Sequence, residues 1–565
     1  MSKTVLIIGG YGVFGGRLAL ALSKNETLKV GVAGRDLKKA ADFCQDTPCH
    51  PYLLDRTADD LIDQVKRLAP FVLIDAAGPF QTYGDRTYAL AEAALAAGAH
   101  YVDLSDDADF TKNITQFDHR ATAKQLTFLS GVSSVPALSS AVVGALMMGL
   151  KNVHHIESAI LPGNKAPRGL SVIKAILSQA GAPLTLWRGG LPHTVPGWSG
   201  LKSFTLKKSS RAMSSTRWAS YIGAPDLSLF PQRYAARNVS FRAGLDLKLM
   251  HFGLWLLSGL VRFGLMTSLI SLAIPLRHIA SLLERFGSDT GAMVIQVTGL
   301  TDRGDPVQKK WELRVEQGEG PNVPTLPAQI LVAKLIEGSV TSGARPCLEE
   351  FTLNEAAAAL RALPVETTIT YDSVPLVFQS VLGEAFDMLS PTHRDLHTVL
   401  SYRRWQGHAL VRRGRTLLSK LVGALAGFPN ASDEVEVQVE MERTKSGETW
   451  TRTFGTKRFR SYLTAETSNI ETVLYERFGA LKFEIALTLK EDKLHFPVRR
   501  GRFLGIPLPK FLLPLSNAEE FVDELGRARF YVDVSLPICG HVATYTGWLT
   551  PDDEITSELK CEWPA

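Results

Sequence analysis

The sequence predicts an α/β chain in three parts: an N-terminal doubly wound parallel sheet, an α+β middle, and a C-terminal antiparallel β-rich unit, partly closed and barrel-like. Three observations lead there. Short β-branched runs alternate with helical patterns through about residue 135. Strands that alternate inward and outward follow in the middle. From about residue 380 strand follows strand without β–α alternation. These shifts divide the chain at 1–135, 136–370 and 380–555. A length of 565 residues exceeds one ordinary core, and 45% apolar with 21% charged residues is the make-up of a folded protein. The net charge of +5 is small for this length, and no basic stripe is interleaved with aromatics, which excludes a nucleic-acid partner. The five cysteines, Cys44, Cys49, Cys347, Cys539 and Cys561, are scattered and lack metal-ligand spacing; they read as reduced thiols in a cytoplasmic protein that holds no metal. Lys3 is followed at once by a short β-branched run and glycines, so no signal peptide is expected.

Residues 4–8, Thr-Val-Leu-Ile-Ile, form an apolar run suited to a strand buried on both faces. The loop Gly9-Gly10-Tyr11-Gly12-Val13-Phe14-Gly15 follows, then a helical pattern through Leu18, Ala21 and Leu22. Gly10, Gly12 and Gly15 fall in the G-x-G-x-x-G register of a dinucleotide-binding Rossmann fold. Gly10 is expected to make the tight turn, Gly12 to let the backbone approach a pyrophosphate, and Gly15 to let helix and strand pack closely. The helix N-terminus supplies free N–H donors to the phosphates.

A second strand, 29–33, closes in Gly34-Arg35-Asp36. NAD-specific sites end this strand with a carboxylate for the ribose 2′-hydroxyl, whereas an arginine accommodates the 2′-phosphate of NADP. Arg35 occupies that position with Lys38 and Lys39 beyond it, which favours NADP over NAD, although Asp36 could still reach a ribose hydroxyl. A third strand, 51–54, ends in Asp55, placed either to accept from an adenine amine or to cap a helix from Thr57. A fourth, 71–74, runs into Asp75-Ala76-Ala77-Gly78-Pro79, a small-residue turn suited to close approach by a nicotinamide ribose. A helix over 86–97 stops at Gly98, and strands at 100–105 and 126–129 complete the alternation.

The glycine loop, Ala33-Gly34-Arg35, Gly78-Pro79-Phe80 and His100-Tyr101-Val102-Asp103-Leu104 together resemble the saccharopine dehydrogenase-like NAD(P)-binding oxidoreductases, over roughly residues 1 to 360. Gly131, Pro136 and Leu138-Ser139 are similar to a later segment of that family, with Ala137 where the family has glycine. The resemblance implies a Rossmann domain, a nicotinamide cofactor and hydride transfer to or from a small-molecule substrate. Members act on substrates from amino-keto acids to lipid-like enoyl compounds, so it does not choose among them.

In the middle, strands are expected at 156–160, 293–297 and 310–315 and a helix at 170–178, with Asp302-Arg303-Gly304-Asp305 as a hairpin turn. Loops at Arg168-Gly169, 187–190, 196–198 and 318–328 are candidate cleft walls. Candidates for a proton donor or acceptor are Tyr83, Asp106 and Arg168, with Ser105, Asp107 and His193 beside them; the Asp106-Asp107 pair reads better as the N-cap of a helix starting near Ala108. No pair maps onto the acid–base groups of the amino-acid dehydrogenases.

Within 249–285 lies an apolar stretch, 252–276, divided by Arg262. Neither half reaches the ~18 residues that span a bilayer, and an arginine at a helix centre costs roughly 3 kcal/mol on insertion scales. The stretch is a buried helix pair, the lining of an apolar cavity, a dimer contact in a homodimer, or a peripheral membrane contact aided by Lys248, Arg262, Arg277 and Arg285.

Past residue 370 the segment around Arg403-Arg404 and Arg412-Arg413 reads as a basic linker, with an amphipathic helix near 417–426. Strands follow at 434–442, 449–454, 481–489, 493–498, 529–536 and 542–549. Tyr475–Gly479, Leu504–Pro509 and Tyr545–Leu549 resemble a bacterial domain of unknown function that accompanies this oxidoreductase family, over roughly 380–552. With eight strands or fewer, a filled core is expected in such a barrel. The reading is thus an NADP-dependent oxidoreductase of undefined substrate, an apolar or lipid-like molecule being one candidate, cytoplasmic or membrane-associated. The alternative is a non-catalytic cofactor-bound scaffold or lipid-binding protein.

Overall fold

In the first strand, β1 (Lys3–Ile8), successive side chains enter two different cores: Val5 and Ile7 pack on one face, Leu6 and Ile8 on the other. The same division runs through β2 (Leu28–Gly34), where Val30 and Val32 face one core and Ala33 the other. A strand buried on both faces needs layers above and below, which is why its sequence is continuously apolar. The computed structural model that shows this describes residues 2–167, 169–206, 215–425, 427–467, 471–537 and 539–552. Its chain divides into two compact units. The first comprises residues up to 187, 192–297 and 309–371; the second comprises 188–191, 298–308 and those from 372 onward.

In the first unit, α1 (Val13–Leu22) and α2 (Leu37–Cys44) flank β2. There follow β3 (His50–Leu53), α3 (Leu61–Leu68), β4 (Val72–Asp75), α4 (Ala89–Ala97), β5 (His100–Asp103), α5 (Ala108–Asn113), α6 (Asp118–Ala123) and β6 (Thr127–Ser130). The spatial order is β6-β5-β4-β1-β2-β3, parallel throughout. The order reverses between β1 and β4, the switch point at which such sheets bind ligands beyond their carboxyl ends. A seventh strand, Gly343–Pro346, adds to β6 in parallel, where Ala344 N–H donates to Asp118 Oδ1 (2.8 Å) and Cys347 N–H to the Ser130 carbonyl (2.8 Å). Gly-Ala-Arg-Pro has no apolar run, so nothing local marks it as a strand. Helix α4 starts at Ala89 rather than 86, because residues 84–86 form a separate 3-10 turn.

A nine-stranded mixed sheet fills the middle, with Leu150–Leu161 at its centre beside Asn238–Gly244 and Gly291–Thr301. The expected hairpin is present: Thr301 N–H donates to the Asp305 carbonyl (2.9 Å) and Gly304 takes a φ of +90°. The expected helix is Leu170–Gln179.

The apolar stretch forms helices Lys248–Arg262 and Ala273–Leu282, and no helix among the described residues is long and apolar enough to cross a membrane. The first is anchored on one side only. His251 is fully buried, bonded through Nε2 to the Ser220 hydroxyl (3.0 Å), and burial pushes its pKa down to about 4. On other sides Leu256, Phe263 and Leu265 are 68%, 76% and 72% exposed, so a simple buried helix pair is not what forms.

In the second unit, 13 antiparallel strands form one continuous sheet around an internal cavity of about 740 Å³. Two expectations change here. The basic segment is no linker but a central strand, Tyr402–Arg413, whose Trp405 is fully buried and whose buried Arg403 is held bidentately by Asp395 (2.9 and 2.8 Å). And the interior is not filled, because more strands enclose a wider space. The run 481–489 splits into Leu481–Ile485 and Thr488–Lys490, while Lys457–Thr467, Thr472–Phe478 and Leu515–Val522 are further strands. Cys44, Cys49, Cys347 and Cys539 are free thiols; Cys561 lies outside the described residues.

Candidate functional site

The glycine loop leaves β1 at the switch point and turns directly into α1. The tight turn falls on Gly9 (φ +75°) rather than Gly10, because the loop bends where it meets the turn after β4: a Cβ on Gly9 would lie 2.7 Å from both the Ala76 carbonyl oxygen and the Ala77 Cα. Gly10 lies against Val32 of β2, and a Cβ on Gly15 would come within 2.3 Å of the Gly9 carbonyl oxygen. Gly12 differs. A Cβ there meets only that same carbonyl oxygen, at 3.1 Å, and otherwise open space. Gly12 is also the N-cap of α1 and supplies no side-chain cap, so the first-turn N–H groups of Val13, Phe14 and Gly15 point out with the positive end of the helix dipole. An anion fits there.

Beyond β2 the charged groups divide their roles. Asp36 caps α2, accepting from Lys39 N–H (3.1 Å) and pairing with its ammonium (3.2 Å), and those hydrogen bonds hold its carboxyl below the usual range. The Tyr11 hydroxyl accepts from Asp36 N–H (3.3 Å), and its ring lies across Gly34, where a Cβ would come within 2.5 Å. Arg35 is exposed and makes no hydrogen bond or ion pair among the described residues. Asp55 closes a turn on Thr57 (2.9 Å to N–H, 2.8 Å to the hydroxyl), and those bonds lower its pKa. It does not cap a helix at Thr57, since α3 begins only at Leu61.

The turn Ala76-Ala77-Gly78-Pro79 stands across the switch point from the glycine loop, with Gly78–Pro79 cis. It is held from beneath. Buried Asp75 accepts from Ala77 N–H (3.0 Å) and from the Tyr83 hydroxyl (3.0 Å), with the Arg56 guanidinium 3.6 Å from the centre of the Tyr83 ring. Burial raises Asp75 to about 6 and drives the Tyr83 phenol far above its ordinary range. Tyr83 is buried, and its hydroxyl is engaged by Asp75. Next door, Asp103 of β5 is in register with Asp75 and accepts from Ser105 N–H (3.0 Å), the Ser130 hydroxyl (2.9 Å) and Gly131 N–H (2.8 Å), all on Oδ1. Its Oδ2 is buried without a partner, and burial raises the group to about 7. Neither Asp75 nor Asp103 is singled out by the sequence reading. Their signal is an aspartate closing each of two adjacent apolar strands.

Of the remaining candidates, Asp106 is exposed at the carboxyl edge and accepts from Gln81 Nε2 (3.0 Å), while Asp107 is the N-cap of α5, accepting from Phe110 N–H (2.8 Å). Arg168 lies outside the described residues; the adjacent Gly169 sits over the glycine loop, with a Cβ there 3.8 Å from Val13 Cγ2. The open Gly12 backbone, the uncapped α1 and the unengaged Arg35 together form a cradle that fits a dinucleotide.

Residues 5–129 match the family model of the saccharopine dehydrogenase NADP binding domain. The chain carries that domain. It is the nucleotide module of an NAD(P)-dependent oxidoreductase. Residues 389–549 match a second model, a domain of unknown function, DUF4166. Among solved structures the chain is similar to saccharopine dehydrogenase (L-Glu forming) from Saccharomyces cerevisiae, at 13% identity over 65% of this chain and 100% of that one, with a TM-score of 0.46. It is also similar to a mutant meso-DAP dehydrogenase from Clostridium tetani (12%, 64% and 99%, 0.34) and to biliverdin reductase from Synechocystis sp. PCC 6803 (11%, 64% and 96%, 0.30). At these scores the likenesses carry no activity across. No curated protein matches the chain.

Proposed function

We propose that this protein is an oxidoreductase that uses NADP rather than NAD and acts on a small apolar or lipid-like substrate. One observation carries the cofactor choice: Asp36 is engaged as the cap of α2, while Arg35 makes no hydrogen bond or ion pair among the described residues. A free guanidinium beside the 2′ position attracts a phosphate, and a capping carboxylate is not available to a 2′-hydroxyl. The dinucleotide, when bound, supplies the hydride acceptor or donor; the chain binds and orients it. Gly9 to Gly15 would hold the pyrophosphate on the α1 N-terminus, Asp55 Oδ2 would face the adenosine, and Ala76 to Pro79 would flank the nicotinamide ribose. Asp106 is an exposed carboxylate shortly after β5, bonded to Gln81 next to that turn, and the candidate to hold a proton, while Tyr83 positions the turn through Asp75.

Titration with NADPH and NADH tests the assignment. Arg35→Ala is expected to weaken NADPH by ~1.5–3 kcal/mol, roughly 10- to 150-fold, and NADH hardly at all. Equal loss for both cofactors overturns it. Gly12→Val is the control that abolishes both, because its side chain enters the pyrophosphate space. The non-catalytic reading is favoured by the burial of Tyr83 against Asp75, which removes one acid–base candidate from reach of a substrate. A screen for NADPH oxidation across enoyl lipids, quinone-like carbonyls and amino-keto acids decides between the two.

A further inference from the structure

We propose that the C-terminal unit is a receptor for one uncharged, lipid-like molecule with an oxygen head group, such as a long-chain alcohol, aldehyde or ketone, bound inside its sheet. The cavity of about 740 Å³ falls in the range of sites that enclose a single small ligand. Its wall comes from facing parts of the same curled sheet and is mostly large and apolar, with Val439, Leu463, Leu474, Phe483 and Phe530 among its members. A space of that size with such a wall suits water poorly, because each water needs two to four polar partners. An apolar body fits instead.

The polar groups say which head it carries. Arg452, on the strand Glu448–Phe454, donates to the Ser461 hydroxyl (2.7 Å) and pairs with Glu476 (3.3 Å), and both charged groups line the cavity. Tyr545 lies close enough to feel both charges; burial pushes its phenol up to about 12, and its hydroxyl has no hydrogen-bond partner among the described residues. Of the other charged groups of the wall, Glu520 is bonded to His397 (2.8 Å), Glu519 pairs with Lys493 (3.2 Å), Arg529 lies 4.0 Å from Asp523, and Arg460 is exposed and donates to the Thr451 hydroxyl (3.3 Å). To pair with Arg452, a carboxylate ligand would have to displace Glu476. A neutral oxygen can accept from the Tyr545 hydroxyl without breaking any pair. Leu508 and Leu512 are part of the lining, and Ile506, Phe511 and Leu515, next to them in the chain, are 68%, 62% and 66% exposed. An exposed apolar segment continuous with the lining suits a ligand arriving from an apolar phase.

The uncharged fluorophore N-phenyl-1-naphthylamine, titrated into the full chain, tests this. One saturable site per chain is expected, emptied by oleyl alcohol at least tenfold more effectively than by oleate. Ala518→Phe, which projects a ring into the cavity, should weaken the probe tenfold or more while circular dichroism and melting temperature hold. Glu476→Gln frees Arg452 and should shift the preference toward oleate. It is an independent readout should Ala518→Phe fail to fold. The proposal is overturned if no saturable site exists or if oleate displaces as well as the alcohol from the parent. It is equally overturned if Glu476→Gln leaves the preference unchanged, or if the probe is lost on Leu256→Asp with Phe263→Asp, which would put its site on the exposed helices.

Discussion

Asp103 holds three hydrogen bonds on one carboxylate oxygen and none on the other, and burial raises its pKa from the ordinary 3.8 to about 7. The fold therefore favours the protonated acid. The stability this contributes is fully present below about pH 4 and is lost as the pH rises through about 7, since the unfolded chain ionises first. Asp75, raised to about 6 on the neighbouring strand, acts in the same direction. Asp103→Asn keeps an acceptor for Ser130, Ser105 and Gly131 but cannot ionise. Urea unfolding of parent and variant between pH 4 and 8 should show the variant gaining about 1–3 kcal/mol relative to the parent across that window. Parallel curves would mean that Asp103 is ionised in the fold. Both aspartates are visible in the sequence as strand ends; their burial is not, because it depends on segments brought over them, residues 105, 130 and 131 for Asp103 and residues 77 and 83 for Asp75.

At the scale of elements, the helices Lys248–Arg262 and Ala273–Leu282 present an apolar surface to solvent where the sequence left four readings open. Leu249, Leu256, Phe263, Leu265 and Leu282 are each more than two-thirds exposed, with Lys248, Arg262, Arg277 and Arg285 on the same helices and their flanks. We propose that this surface rests on an anionic membrane, because apolar side chains gain ~1.5–3 kcal/mol each on leaving water and each nearby cation adds about 1 kcal/mol near anionic head groups. Co-sedimentation with vesicles containing phosphatidylserine should capture the parent and lose the Leu256→Asp, Phe263→Asp double variant by at least tenfold, with NADPH affinity unchanged. Because both positions are exposed, the variant should fold. If it binds vesicles as the parent does, the membrane reading is wrong, and a shift in oligomeric state on gel filtration would instead assign the surface to a homodimer.

Over the whole molecule, the parallel sheet depends on distant chain. The strand Gly343–Pro346 covers the free edge of β6, and Leu326, Leu331, Val332 and Leu335 of the helix Leu326–Glu337 share a core with Val5 and Ile7. Each of those side chains contributes ~1.5–3 kcal/mol through burial. A fragment ending at residue 135 loses all of them and exposes the β6 edge. It is expected to melt without a cooperative transition and to lack near-ultraviolet dichroism, whereas the full chain melts cooperatively. A fragment that folds as sharply as the full chain would show the sheet to be self-sufficient.

The alternation of strand and helix, the glycine loop and the placement of Arg35 after the second strand are legible in the residues themselves. Each rests on a local signal: an apolar run, a glycine spacing, a charge at a strand end. What sequence could not supply depends on contacts between residues far apart. Gly343–Pro346 is a strand only because β6 offers it an edge; Arg403 is central to a sheet only because Asp395 neutralises it. Asp36 ceases to compete with Arg35 only once α2 takes it as a cap. The cavity behind Arg452 and Glu476 arises from the curl of 13 strands, a property of their accumulated twist and number rather than of any one of them.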